Sequence, residues 1–184
     1  MPEHVVFALG FSFLAIFLSI VILLARRSLH IIAQSCGVVP APVAHNGTAV
    51  LGFLAIPFLC LMAWIPDSAS PMHFYSALIM FGMLALYQLA LAVLATAVLR
   101  RTPGWPLPLL LLTLYFLLCA LGALGAACGW VSAGSDGMYL EYIAVALEFC
   151  FFLGASVLFD MAVRAQAEAG LSGDYLLERR KRGP

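Results

Sequence analysis

Charge is what this sequence has least of. Lys and Arg number nine, Asp and Glu nine, together 10% of 184 residues. A soluble domain carries about 25% charged residues, so this chain could not cover a water-facing surface. It also lacks the strict apolar–polar alternation of barrel strands. No basic stretch precedes its first apolar run, as one would in a cleaved secretory signal, and Arg26-Arg27 follow it instead. That run is therefore expected to stay in the mature chain. CxxC pairs are absent, and no His shows metal-ligand spacing with Cys, Asp or Glu. The histidine pairs that would ligate haem across a bundle, and a nucleophile elbow, are missing too. Neither a cofactor nor a metal is expected, and no catalytic residue is assigned. A formal net charge of zero gives no sign of nucleic-acid binding.

What fills the chain is apolar. Hydrophobic residues make up 64%, and mean hydropathy is +1.06. Apolar runs of about 20 residues cross a ~30 Å hydrocarbon core as helices. The fold class expected is all-α, a five-helix transmembrane bundle. Its spans cover roughly 5–25, 48–65, 75–99, 106–130 and 139–163, and residues 165–184 form a basic tail. Pro57 lies in the second span and should kink it.

Charge placement predicts orientation. Arg26 and Arg27 follow the first span, Arg100 and Arg101 the third, and Arg164, Arg179, Arg180, Lys181 and Arg182 the fifth. The connections 66–74 and 131–138 hold Asp67 and Asp136 but no Lys or Arg. All nine cations thus fall on one side. The positive-inside rule makes that side cytosolic and puts the N-terminus luminal or extracellular. Asn46-Gly47-Thr48 matches a glycosylation sequon, but it falls on the cytosolic side against a span and should stay unmodified. The five cysteines read as small buried apolar residues rather than a disulfide framework.

Packing signals concentrate in the fourth span. Gly125 and Gly129 form a GxxxG, with Gly122, Ala123, Ala126 and Ala127 around them. Small residues let helix backbones approach where lipid removes the hydrophobic drive. The pattern reads as packing within one bundle, or alternatively as a homodimer face. Trp64, Trp105, Trp130 and Tyr139 sit at span ends, where an aromatic belt belongs.

The candidate site is made of polar residues inside the spans. At 100° per residue, His73, Ala77, Met80, Leu84, Tyr87, Gln88 and Leu91 share one face of the third span. Glu141 and Glu148, seven apart, share a face of the fifth, continued by Phe152 and Phe159. Asp160 stands about a quarter turn away, near the cytosolic end. A carboxylate near the centre of a span costs roughly 2.5–3.5 kcal/mol. Glu148 must therefore face the bundle and find a donor or a proton. Matching depths predict a His73–Glu141 contact at the outer rim. Below it, Glu148 should hydrogen-bond among Tyr87, Gln88 and Ser12. The cluster reads as a structural carboxylate, as a contact to a lipid or other ligand, or as a proton relay.

These residues also carry a resemblance. His73, Ala77, Phe81 and Tyr87 in the third span resemble the DRAM family, the damage-regulated autophagy modulators. So does the last span, with Glu141-Tyr142, then Phe149, Phe151 and Phe152, then Asp160. Phe7, Phe11 and Phe13 after Pro2-Glu3 are similar to the family's second span, and Asn46 and Gly52 to the start of its third. The wider superfamily includes Sfk-type regulators of phosphoinositide and phospholipid state and the post-GPI-attachment factor of GPI-lipid remodelling. It usually has six spans with both ends cytosolic, and the first of the six has no counterpart here. Glu148 is not among the resembling positions. The resemblance implies a non-enzymatic regulator of autophagy or membrane-lipid state. It would reside in endomembranes, lysosomal or early secretory, in preference to the plasma membrane.

Expected partners are membrane lipids, a protein at the cytosolic face and a second copy of the chain. Gly170 and Gly173 should end the last helix. Beyond them, Arg179, Arg180, Lys181 and Arg182 could each gain about 1 kcal/mol from anionic headgroups close by. They read equally as a charge run that sets topology, and Lys181-Arg182 loosely resembles a dibasic retrieval signal. Two further functions stay open: a small proton- or ligand-coupled transporter subunit using Glu148, and a GPI-lipid remodelling factor with His73 and Glu141 as acid–base groups.

Overall fold

The computed structural model describes residues 2–38, 42–65, 70–101, 107–133 and 138–181. Side chains are described over 5–6, 8–38, 43–65, 70–101, 107–132, 139–140 and 142–169. Within these bounds the chain forms five helices and no strand: α1 (Pro2–Ser35), α2 (Pro42–Trp64), α3 (Pro71–Arg101), α4 (Leu107–Ala133) and α5 (Met138–Lys181). All five contain a stretch long and apolar enough to cross a membrane. An isolated apolar segment can satisfy its backbone in lipid only as a helix, so the polypeptide has little choice. The chain is thus an integral multi-pass membrane protein.

Each helix packs against the next, and α5 returns to pack against α1, while α3 and α5 barely touch across the middle. The bundle is a closed ring in sequence order. Short connections force neighbours to run antiparallel. Gly122 meets Leu147 and Gly129 meets Leu140, a pairing whose numbers run in opposite directions. The ends of the bundle differ in charge. Arg26, Arg27, Arg100, Arg101 and Arg164 all lie at one end, the basic end.

Small residues are prominent in the interior, beside large ones such as Tyr87, Phe116 and Phe151. Ala15, Ala25, Ala55, Ala77, Ala120 and Ala123 are buried, whereas Phe13, Val93, Leu118 and Leu153 point outward. Small residues inside and large apolar ones outside are what lipid solvation selects. Gly122 and Gly129 serve this packing: a Cβ on either would come within 2.9 Å of a leucine methyl of α5. Gly125, the other half of the GxxxG, has nothing within 4 Å. The stripe that works inside the bundle is Gly122 with Gly129, two turns apart.

Three expectations need correction. Gly170 and Gly173 do not end α5, which continues to Lys181. Glycine costs only about 1 kcal/mol in a helix, and the flanking stretches AQAEA and YLLERRK are strong helix formers. Trp130 is not an interfacial anchor. It is buried, with its ring 4.8 Å from that of Phe74. Phe159 does not extend the polar face of α5 inward, because it is exposed. Trp64 and Tyr139 are exposed as a belt requires, and Trp105 lies outside the described residues. The helix α2 runs through Pro57.

At the basic end α1 extends past the arginines and closes with a Schellman motif. The N–H of Val38 bonds the carbonyl of Ala33 and that of Gly37 the carbonyl of Gln34, with Gly37 at φ 71°. Across that turn, Arg26 donates to the Asn46 side chain at 2.6 Å, and the rings of His30 and His45 meet edge-on at 5.7 Å. The sequon asparagine is thus engaged on the helix α2. The five cysteines are free thiols.

Candidate functional site

The site begins with one face of α3. Ala77, Met80, Leu84, Tyr87, Gln88 and Leu91 are all buried, as the helical period predicts, and His73 is half-buried at one end of the row. Gln88 has no exposed surface. Fifteen residues separate it from His73, about 22 Å along the helix.

Glu148 of α5 meets this face. Its residue is 8% exposed, and its Oε2 accepts a hydrogen bond of 2.6 Å from Gln88 Nε2. The two residues are 60 apart in sequence and lie on the pair of helices that otherwise barely touch. This polar pair bridges the middle of the ring. It leaves the Oε1 atoms of both Glu148 and Gln88 buried without a partner. A buried acceptor of that kind costs free energy that a donor would recover.

The other expected members behave differently. Tyr87 is buried, with its ring edge-on to Phe151 at 5.5 Å, but its hydroxyl has no partner. Ser12 donates to the carbonyl of Ala8 on its own helix and does not join the cluster. Asp160 stands apart from the site, exposed near the basic end, in an ion pair of 2.8 Å with Arg164 one turn on. The Glu141 side chain lies outside the described residues, so the expected His73–Glu141 contact does as well. The same holds for the side chains of Arg179, Arg180 and Lys181, and for Arg182.

What single-helix patterns could not show is a cavity. A space of about 370 Å³ lies between α1, α2, α3 and α5. Its wall is formed by Phe11, Leu14 and Leu18 of α1, Leu59 and Met62 of α2, and Met80, Phe81 and Leu84 of α3, with Val145, Phe151 and Phe152 of α5. His73 and Glu148 also line it. Along α5 the lining runs from Tyr142 to Phe152, about 15 Å of helix. Tyr142 and Phe149 line the space and are also exposed on the outer surface. On that side the cavity borders the outer surface of the bundle. The Nδ1 of His73 is buried without a partner.

The arrangement therefore offers an apolar chamber with two unpaired polar atoms in its wall, His73 Nδ1 and Glu148 Oε1. Among the described residues, no group of three His, Cys, Asp or Glu stands close enough to hold a metal ion. On the far side of α5, Tyr115 of α4 donates to the backbone carbonyl of Cys150, which fixes the helix that carries Glu148. The aromatic signal for the chamber was present in Phe11, Phe81, Phe149, Phe151 and Phe152. No periodicity rule says which space between helices such rings enclose. Compared with family models, with curated proteins and with solved structures, the chain has no match.

Proposed function

We propose that this protein is a membrane regulator that takes the apolar chain of a membrane lipid, or a lipid-like ligand, into the chamber between α1, α2, α3 and α5. One observation supports the reading above the others. The chamber has an almost wholly apolar wall with one buried carboxyl set in it, which is how small-molecule sites are built. The regulator role draws on the resemblance to the damage-regulated autophagy modulators, and the lipid draws on the chamber. The basic end is assigned to the cytosol by the positive-inside rule.

Photolabelling tests this. The purified protein in lipid nanodiscs is irradiated with a diazirine-bearing acyl lipid, and the adducts are mapped by mass spectrometry. Adducts are expected on Met80, Leu84 and Phe151, and should disappear in Met80→Trp, which fills the space. Adducts confined to outward positions such as Leu86 and Val93, unchanged by Met80→Trp, would overturn the reading.

A second reading is favoured by the unpaired atoms around Gln88 and Glu148, which lie midway along the spans. In it, Glu148 couples proton or ligand movement in a small transporter subunit. Proton-dependent flux into liposomes that Glu148→Gln abolishes would select it.

A further inference from the structure

We infer that the ligand of this chamber is a single-chain amphiphile whose head is a cationic amine, seated on Glu148. The inference rests on the lipid-chain reading above and adds the chemistry of the head and the number of chains.

The head follows from which atoms lack partners. In the chamber wall the unpaired acceptor is Glu148 Oε1; Gln88, which bonds the other carboxyl oxygen, stands behind the lining. The one donor directed at Glu148, the Gln88 amide, is already used. A primary ammonium brings three N–H donors and no acceptor. One N–H would answer Glu148 Oε1, and the remaining positive face would rest against the aromatic rings of the lining. A carboxylate or phosphate head would bring only more acceptors, and like charge, to the same spot.

Charge and ring chemistry agree. Among the described residues lining the chamber, Glu148 is the sole carboxyl and His73 the sole imidazole, and no Lys or Arg joins them. Phe81, Phe151 and Phe152 stand in the same lining. Aromatic faces attract a cation, and more strongly where water is excluded. A carboxylate among aromatic rings is a recognition set for ammonium.

Chain number follows from size. At about 370 Å³ the space is at the small end of ligand pockets, and it stretches along about 15 Å of α5. One alkyl chain can lie in such a slot, whereas the paired chains of a diacyl lipid cannot. The amphiphile would come from the membrane past Phe149, which both lines the chamber and is exposed on the outer surface.

Competition photolabelling on the full chain in nanodiscs tests this, with a diazirine-bearing long-chain amine as probe. Dodecylamine, dodecanol and dodecanoic acid compete for the adduct. Dodecylamine should compete better than the alcohol by about tenfold or more, as a charge-assisted hydrogen bond implies, and the acid should be weakest. Glu148→Gln keeps the shape and should bring amine and alcohol level. Phe152→Leu leaves the polar pair intact and should reduce the amine preference several-fold. Equal competition by amine and alcohol in the unaltered protein would overturn the inference while leaving the lipid-chain reading standing. A stronger acid than amine would also overturn it. Absence of any chamber adduct, with this probe or with the acyl lipid, would overturn both.

Discussion

Replacing Gln88 by leucine tests the centre of the structure. The side chains are similar in volume, so the change removes the amide with little loss of packing. Gln88 is fully buried and donates at 2.6 Å to a carboxyl that is itself 8% exposed. Removing the donor leaves Glu148 with both oxygens unpartnered, which costs about 1–3 kcal/mol in a buried setting. Two effects pull that figure down. Gln88 Oε1 already lacks a partner, so the substitution also removes an existing orphan. Interhelical polar pairs in membranes average only about 0.6 kcal/mol and reach about 1.7. The coupling between Gln88 and Glu148 is therefore expected near 1–1.5 kcal/mol. Reversible unfolding in mixed micelles measures it through a double-mutant cycle: Gln88→Leu, Glu148→Leu and both together. The two single variants should each be destabilised. The double should cost less than their sum by the coupling, because replacing both partners with apolar groups leaves nothing unpaired. Singles that simply add, within about 0.3–0.5 kcal/mol, would show that the hydrogen bond does not hold α3 to α5.

Glycine positions make a sharper steric test. A Cβ on Gly154 would come within 2.7 Å of Phe116 and 2.8 Å of Tyr115, rings that cannot both yield. Gly154→Val should destabilise by about 1–3 kcal/mol in the same unfolding assay. Gly125→Ala, with nothing within 4 Å, should be neutral or stabilise by up to about 1 kcal/mol through helix propensity. Tyr115→Phe removes the hydrogen bond to the Cys150 carbonyl and should cost about 0.5–1.5 kcal/mol. Orientation is checked by labelling in a background with the five cysteines changed to alanine. A membrane-impermeant maleimide should reach Ser70→Cys on the luminal or extracellular side, and Gln34→Cys only after that membrane is permeabilised.

The sequence carried the α3 face well. Ala77, Met80, Leu84, Tyr87, Gln88 and Leu91 obey one helical period, and a period is a property of a single segment. The level of Glu148 relative to Gln88 was also readable, because rise per residue fixes depth. Which helices neighbour which was not. Apart from a few polar residues every span is apolar all round, so no broad stripe says where the next helix lies. Trp130 was misread for a related reason: an aromatic at a span end has the depth of an anchor whether it faces lipid or Phe74. Asp160 shares a helix with Glu148 but not its surroundings, since a quarter turn is enough to move a side chain from the interior to an exposed pair with Arg164. The chamber exists only as the space left between four helices, and no local pattern encodes it.

The ring closes when α5 returns to α1, and this sets an order of events during synthesis. Four helices can enter the bilayer and pack in sequence before the fifth emerges from the ribosome. Until then Gln88 and Tyr87 face an open cleft, and six of the chamber's fifteen lining residues are missing. The carboxyl that answers Gln88 arrives 60 residues later. An arrested chain of four helices thus presents a polar stripe to lipid that the finished protein hides, a mark by which membrane quality control could tell the incomplete chain from the complete one.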